Sequence, residues 1–189
     1  MPADLQTLLE QSGAILKGHF KLTSGRHSDT YFEKFRILEQ PHILTELCKS
    51  LADQFRDLGI QVVAGPTTGG IIVAFDVARH LGVQALYVET ENGEKTLRRG
   101  ANIQPGTRVL VVDDVFTTGR SVMEVASLME AHGAEMVGVG VLIDRSERPD
   151  LVPYRLVSAH RVEATSYAEN DVPDWLLQIP LTKPGTRTL

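Results

Sequence analysis

Apolar residues along this chain recur at two spacings, one helical and one extended. Over residues 42–58, Ile43, Leu44, Leu47, Leu51 and Phe55 repeat every three or four positions and Gly59 follows, which predicts an amphipathic helix with a glycine stop. Gln61-Val62-Val63-Ala64-Gly65 is then a short apolar run delivered into Pro-Thr-Thr-Gly-Gly, and residues 71–80 predict a helix closed by Leu81-Gly82. The unit repeats as a strand over 84–89, a polar segment over 90–102, a strand over 108–112, a loop, a helix over about 120–132 and a strand over 136–143. Strands and helices in alternation predict an α/β fold, a mostly parallel sheet flanked by helices.

The ends of the chain follow other rules. Residues 4–12 predict a short helix with Leu5, Leu8 and Leu9 on one face and Gly13 as its stop. Over 20–34 the pattern changes to short extended pieces around Ser24-Gly25-Arg26, as in a hairpin or flap. Residues 154–162 predict one more strand, and 171–189, with three prolines, predict irregular structure. Neither a tandem repeat nor a low-complexity segment interrupts the 189 residues, which predict a single domain.

Composition narrows the class. With 42% hydrophobic and 23% charged residues the balance is that of a soluble globular protein, able to build a core without disulfides. The single cysteine, Cys48, has no intrachain partner, which fits a reducing, cytoplasmic setting. The N-terminus lacks a basic stretch followed by an apolar run, and no segment approaches the ~18 apolar residues of a membrane span. A net charge of −5 argues against a surface for nucleic acid, so any polyanion bound should be small.

The most informative run is Val109-Leu110-Val111-Val112-Asp113-Asp114-Val115-Phe116-Thr117-Thr118-Gly119-Arg120-Ser121. Four apolar residues predict a buried parallel strand, and two carboxylates stand at its carboxyl end, where open α/β sheets hold their ligands. The Thr-Thr-Gly-Arg-Ser that follows offers hydroxyls and backbone N–H groups at the start of a helix, a ready site for a phosphate. Carboxylates beside a phosphate cradle suggest a sugar phosphate. Ala64-Gly65-Pro66-Thr67-Thr68-Gly69-Gly70 is a second loop of the same kind, although a Gly-Gly before a helix is often only a tight turn.

The first run resembles the phosphoribosyl pyrophosphate (PRPP) signature of the type I phosphoribosyltransferase family, and the resemblance implies its parallel-sheet core with a small N-terminal hood. It implies a hood of about residues 1–38 with a tail over 163–189, and a core over about 39–162. Carried over, it puts Asp113 and Asp114 along the ribose hydroxyls and Val115, Phe116, Thr117, Thr118, Gly119, Arg120 and Ser121 around the 5-phosphate. Thr67, Thr68, Gly69 and Gly70 are similar to the family's pyrophosphate loop. Residues 90–100 resemble its flexible catalytic loop, from which Lys95, Arg98 and Arg99 would neutralise the departing pyrophosphate; in orotate enzymes that loop reaches the neighbouring subunit of a homodimer.

The segment from Gly18 to Phe32 is similar to the Gly-x-Phe-x-Leu-x-Ser-Gly-x-x-Ser run of the orotate branch, with Thr23 where a lysine often stands. This likeness implies orotate as the acceptor in pyrimidine biosynthesis, with Tyr31 and Phe32 as a stacking surface, Arg145 on the orotate carboxylate and Thr117 touching the base. Core filling by Tyr31 and Phe32, and an Asp144–Arg145 surface pair, are the competing structural accounts. Magnesium is the implied cofactor, carried on the diphosphate rather than in a protein cage. The Cys-x-x-Cys that often precedes such a tail is absent around Asp174 to Leu177, which speaks against a metal there. A purine or xanthine phosphoribosyltransferase and a PRPP-binding regulator remain as alternative readings.

Overall fold

Strands and helices alternate along the chain, as the hydrophobic spacing requires of an α/β protein. A computed structural model describes residues 5–22, 24–97, 101–146, 151–162 and 165–183. In chain order the elements are α1 (Leu5–Gln11), β1 (Ile15–Lys21), β2 (His27–Phe32), α2 (Phe35–Leu38), α3 (Pro41–Asp53), β3 (Val62–Pro66), α4 (Gly69–Leu81), β4 (Gln84–Glu91) and β5 (Glu94–Thr96). They continue through β6 (Arg108–Phe116), α5 (Arg120–Ala131), β7 (Glu135–Asp144), β8 (Leu156–Arg161), β9 (Ser166–Tyr167), α6 (Asp174–Leu177) and β10 (Leu181–Thr182). Contacts divide the chain into two units, residues 41–161 and residues 1–40 with 162–189.

The larger unit is a six-stranded sheet in the order β5-β4-β3-β6-β7-β8. Its neighbours are parallel except at the edge, where β5 runs antiparallel to β4. All five residues of β3 and the stretch 109–114 of β6 are buried, because a parallel sheet covered on both faces has no solvent side. On one face Val109, Val111, Val139 and Val141 pack with Val122, Val125, Ala126 and Met129 of α5. Glycines set the spacing on the other: a Cβ at Gly138 would lie 2.9 Å from the Phe55 ring, and one at Gly140 3.1 Å from Leu51 of α3. Phe55 is fully buried, and the Arg155 guanidinium lies 5.3 Å from its ring centre.

Several boundaries differ from the sequence reading. The helix expected to reach residue 58 stops at Asp53, and a single 3-10 turn, Arg56–Leu58, leads to Gly59 at φ 61°. The segment 90–97 is not an unpaired polar stretch. Strand β4 continues to Glu91, turns at Asn92 and Gly93 with φ of 52° and 87°, and returns as β5 with Thr90 opposite Lys95. Positive φ at both central residues is what a two-residue hairpin turn demands, and Asn-Gly supplies it.

The smaller unit carries a four-stranded sheet, β10-β1-β2-β9, in which β1 and β2 form an antiparallel hairpin. The tail is more regular than its prolines suggest: α6 buries Leu176, and β10 adds parallel to β1, with Leu181 opposite His19. Elements of two to four residues are too short to show periodicity. Arg26 donates to the Ser166 hydroxyl and carbonyl at 2.8 and 2.6 Å, and Lys21 pairs with Glu169 at 2.8 Å. His19 and His27 are both buried and their ring nitrogens meet at 2.6 Å; desolvation first, and His19 second, hold His27 below the usual histidine pKa.

Replacing Phe55 removes a ring that fills the space opposite Gly138. Phe55→Ala is expected to lower the free energy of unfolding by about 3–5 kcal/mol, read by denaturant titration. A loss below about 1 kcal/mol would show that this space collapses freely and that the glycine spacing of β7 does not depend on the ring.

Candidate active site

Toward the carboxyl end of β6, beyond Val111 where its pairing with β3 stops, stand Asp113 and Asp114. They are 8% and 5% exposed. Such burial of carboxylates is costly without partners, and here the first accepts the Asp114 N–H at 2.8 Å and the second the Val115 N–H at 2.7 Å. Asp113 borders a pocket of about 300 Å³ that is also lined by residues 115–122, Lys95 and Glu124. Thr117 and Thr118 are exposed, Ser121 is half-buried, and Gly119 caps α5 at φ 77° without a side-chain bond to its first turn. The pocket therefore combines carboxylates, hydroxyls and the amino end of a twelve-residue helix.

The second loop presses against the first. Thr67 and Thr68, joined by a cis peptide, are exposed where β3 ends, and Thr67 donates its N–H to the Val88 carbonyl at 3.0 Å. A Cβ on Gly69 would collide with the Asp114 carboxylate, and one on Gly70 with the Pro66 ring while lying 3.2 Å from Asp113 Oδ1. Only glycine allows this approach. The two glycine-bearing loops and the paired acids thus occupy one end of one sheet.

Other residues singled out from the sequence fall into place unevenly. Lys95, on β5, lines the pocket, bonds Thr90 Oγ1 at 3.0 Å and stands 3.9 Å from Glu124. Arg98, Arg99 and Thr23 lie outside the described residues. The Arg145 N–H donates to the Phe116 carbonyl at 2.8 Å, tying the end of β7 to the loop after β6. Its neighbour Asp144 is 4% exposed and pairs with Arg161 at 3.7 Å.

Phe116 keeps its place beside the pocket, whereas the pairing of Tyr31 with Phe32 needs correction. Phe116 lines the pocket although it is 1% exposed and packs in the core with Val122 and Val125 of α5. Tyr31 and Phe32 do not form one stacking surface, because successive side chains of a strand point to opposite faces. Phe32 is buried, whereas Tyr31 is half-buried with its ring 5.6 Å from that of Phe20. Two pocket residues escaped the sequence reading, Val122 and Glu124, the second of which signals itself in the sequence only by its i,i+4 spacing from Arg120.

A parallel sheet with two glycine-bearing loops and paired acids at its carboxyl edge is the arrangement of an enzyme that handles phosphorylated sugars or nucleotides. Residues 36–171 match the family model described as phosphoribosyl transferase domain. The chain is 47% identical to the orotate phosphoribosyltransferase of Pelotomaculum thermopropionicum over 98% of both chains. It is 44% identical to that of Desulforamulus reducens over 96% of this chain and 95% of the relative. A crystal structure of orotate phosphoribosyltransferase from Aeropyrum pernix superposes with a TM-score of 0.72 at 29% identity, over 85% of this chain and 94% of that one. The chain belongs to the phosphoribosyltransferase family, within its orotate phosphoribosyltransferase branch.

The contact between Gly69 and Asp114 is directly testable. Gly69→Ala is expected to cost about 1–3 kcal/mol of stability through overpacking, measured by denaturant titration, because Asp114 has to move to admit the methyl group. A variant as stable as the parent would mean that the two loops are not in close contact.

Proposed function

We propose that this chain is a magnesium-dependent orotate phosphoribosyltransferase: it transfers the 5-phosphoribosyl group of PRPP to orotate, giving orotidine 5'-phosphate and pyrophosphate. The observation that carries the reading is 47% identity to an orotate phosphoribosyltransferase over 98% of both chains, in a chain whose Asp113 borders a pocket formed with the loop over 115–121.

In the reaction the bond from orotate N1 to the anomeric carbon forms as the bond from that carbon to the diphosphate oxygen breaks, with oxocarbenium character between them. Asp113 and Asp114 hold the ribose hydroxyls and favour the positive charge that develops on the ring. Hydroxyls and N–H groups of residues 117–121 bind the 5-phosphate, while the narrow backbone of 67–70 receives the diphosphate. Lys95, with Arg98 and Arg99, meets the charge that grows on the leaving group. Arg145 suits the orotate carboxylate because a guanidinium can form two parallel hydrogen bonds to it. Thr117 also touches the base.

Among the described residues no group of three His, Cys, Asp or Glu side chains could hold a metal ion. That donor set fits Mg²⁺ carried by substrate phosphates, since a hard cation that keeps several waters needs few protein ligands. When bound, the ion neutralises the diphosphate and so eases its departure. The proposal includes a homodimer in which the loop over residues 90–100 is shared across the subunits. Nucleic acid and membrane have no part in it, and the chain works in the cytoplasm. No helix among the described residues is long and apolar enough to cross a membrane.

Purified protein with PRPP and magnesium should release pyrophosphate with orotate, and not with uracil, hypoxanthine, xanthine or adenine. Asp114→Asn is expected to lower turnover at least about a hundredfold while melting remains cooperative. Turnover on a purine instead of orotate would reassign the base, and unchanged kinetics of the variant would remove Asp114 from the site.

A further inference from the structure

A carboxylate on the wall of a pocket suited to phosphate repels the ligand unless it does something else. Glu124 is such a residue. It sits one turn into α5 and shares the pocket wall with Asp113, Lys95 and Arg120. Its two oxygens have different partners: Oε1 accepts from Arg120 Nε at 2.8 Å, and Oε2 stands 3.9 Å from Lys95 Nζ. The Lys95 side chain is 11% exposed, and its other contact is the Thr90 hydroxyl directly across the hairpin. Lys95, Arg120 and Glu124 also line a neighbouring groove of about 550 Å³ between the hairpin and α5, so the three form the partition between the two spaces.

As surface ion pairs these contacts contribute little to stability, because solvent screens them and both partners lose rotamer freedom. Their consequence is spatial. Two long cationic side chains from separate elements repel each other and, left alone, sample many positions. A single carboxylate between them cancels the repulsion and fixes both at the pocket rim before the ligand arrives, so less ordering remains to be done on binding.

We propose that Glu124 is a positioning residue: it sets Lys95 and Arg120 on the rim of the phosphate pocket and thereby strengthens binding of the sugar diphosphate. The ligand's identity rests on the function proposed above; the geometry of the three side chains does not. Glu124 itself touches no reacting atom, and it acts through the two cations.

The test is a double-mutant cycle on Lys95 and Glu124, read both by titration calorimetry with PRPP and magnesium and by steady-state kinetics with orotate. Glu124→Gln is expected to weaken PRPP binding and raise its KM about tenfold, with a smaller change in kcat and none in the KM for orotate. In a Lys95→Met background the same substitution should weaken binding by less than about threefold, because one of the two cations it positions is gone. Melting temperatures should stay together, since Arg120 is open to solvent and Lys95 stands 3.9 Å from the carboxylate. Unchanged or tighter PRPP binding by Glu124→Gln would overturn the proposal, and so would a full tenfold effect repeated in the Lys95→Met background. If the parent binds PRPP yet turns over no base, the catalytic assignment fails while the calorimetric cycle still decides the role of Glu124. If the parent does not bind PRPP, both proposals fall.

Discussion

Everything at the proposed active site depends on β6 being hydrogen-bonded on both sides and buried on both faces. Parallel pairing to β3 and to β7 fixes its position and direction. Its pairing with β3 ends at Val111 while its pairing with β7 runs on to Phe116, so Asp113 and Asp114 lie on the stretch that has lost one neighbouring strand. The adjacent strand β3 ends at the same edge and turns into α4 through Gly69 and Gly70, which lie against those carboxylates. Paired acids and two helix openings thus come from neighbouring strands without any long connection to bring them together. This is the general advantage of the carboxyl edge of a parallel sheet, where several loops converge on a rigid base.

The electrostatics follow from that placement. A chain with net charge −5 takes a highly anionic substrate in the proposed reaction, so attraction has to be local. Under the proposal, backbone N–H groups at the start of α5 supply part of it and Lys95 of the β4–β5 hairpin supplies more. In the proposed reaction the acids face the ribose, where the transition state is positive, and the cations face the phosphates, where negative charge accumulates. The proposed site keeps the two signs apart, and the proposed part of Glu124 is to hold the cationic side in order.

Legibility in the sequence tracked the length of each element and the distance over which its partners act. The core strands and α3 to α5 declare themselves through apolar periodicity, because each buries a whole face. The Asp113-Asp114 run was readable because a strand, two acids and a phosphate-ready turn are contiguous. By contrast β10 and α6 are too short to carry a period, and their reason for existing is β1, some 160 residues earlier. The hairpin at Asn92-Gly93 was obscured by its polarity: charged residues over 90–95 outweigh a turn signal that only its two central residues carry. Tyr31 and Phe32 are adjacent in sequence and therefore opposite in space, which strand alternation alone should have revealed. Glu124 was illegible because its meaning arises only when Lys95, far off in sequence, folds over α5.

The claim on which the account stands is that the loop after β6 holds the phosphate and that the paired acids hold the ribose. A crystal structure of the protein with ribose 5-phosphate tests it most directly. The account predicts the phosphate within hydrogen-bond distance of the N–H groups and hydroxyls of residues 117–121, with ribose hydroxyls on Asp113 and Asp114. A phosphate bound at the Thr67–Gly70 loop alone, or a ribose turned away from the two acids, would contradict it.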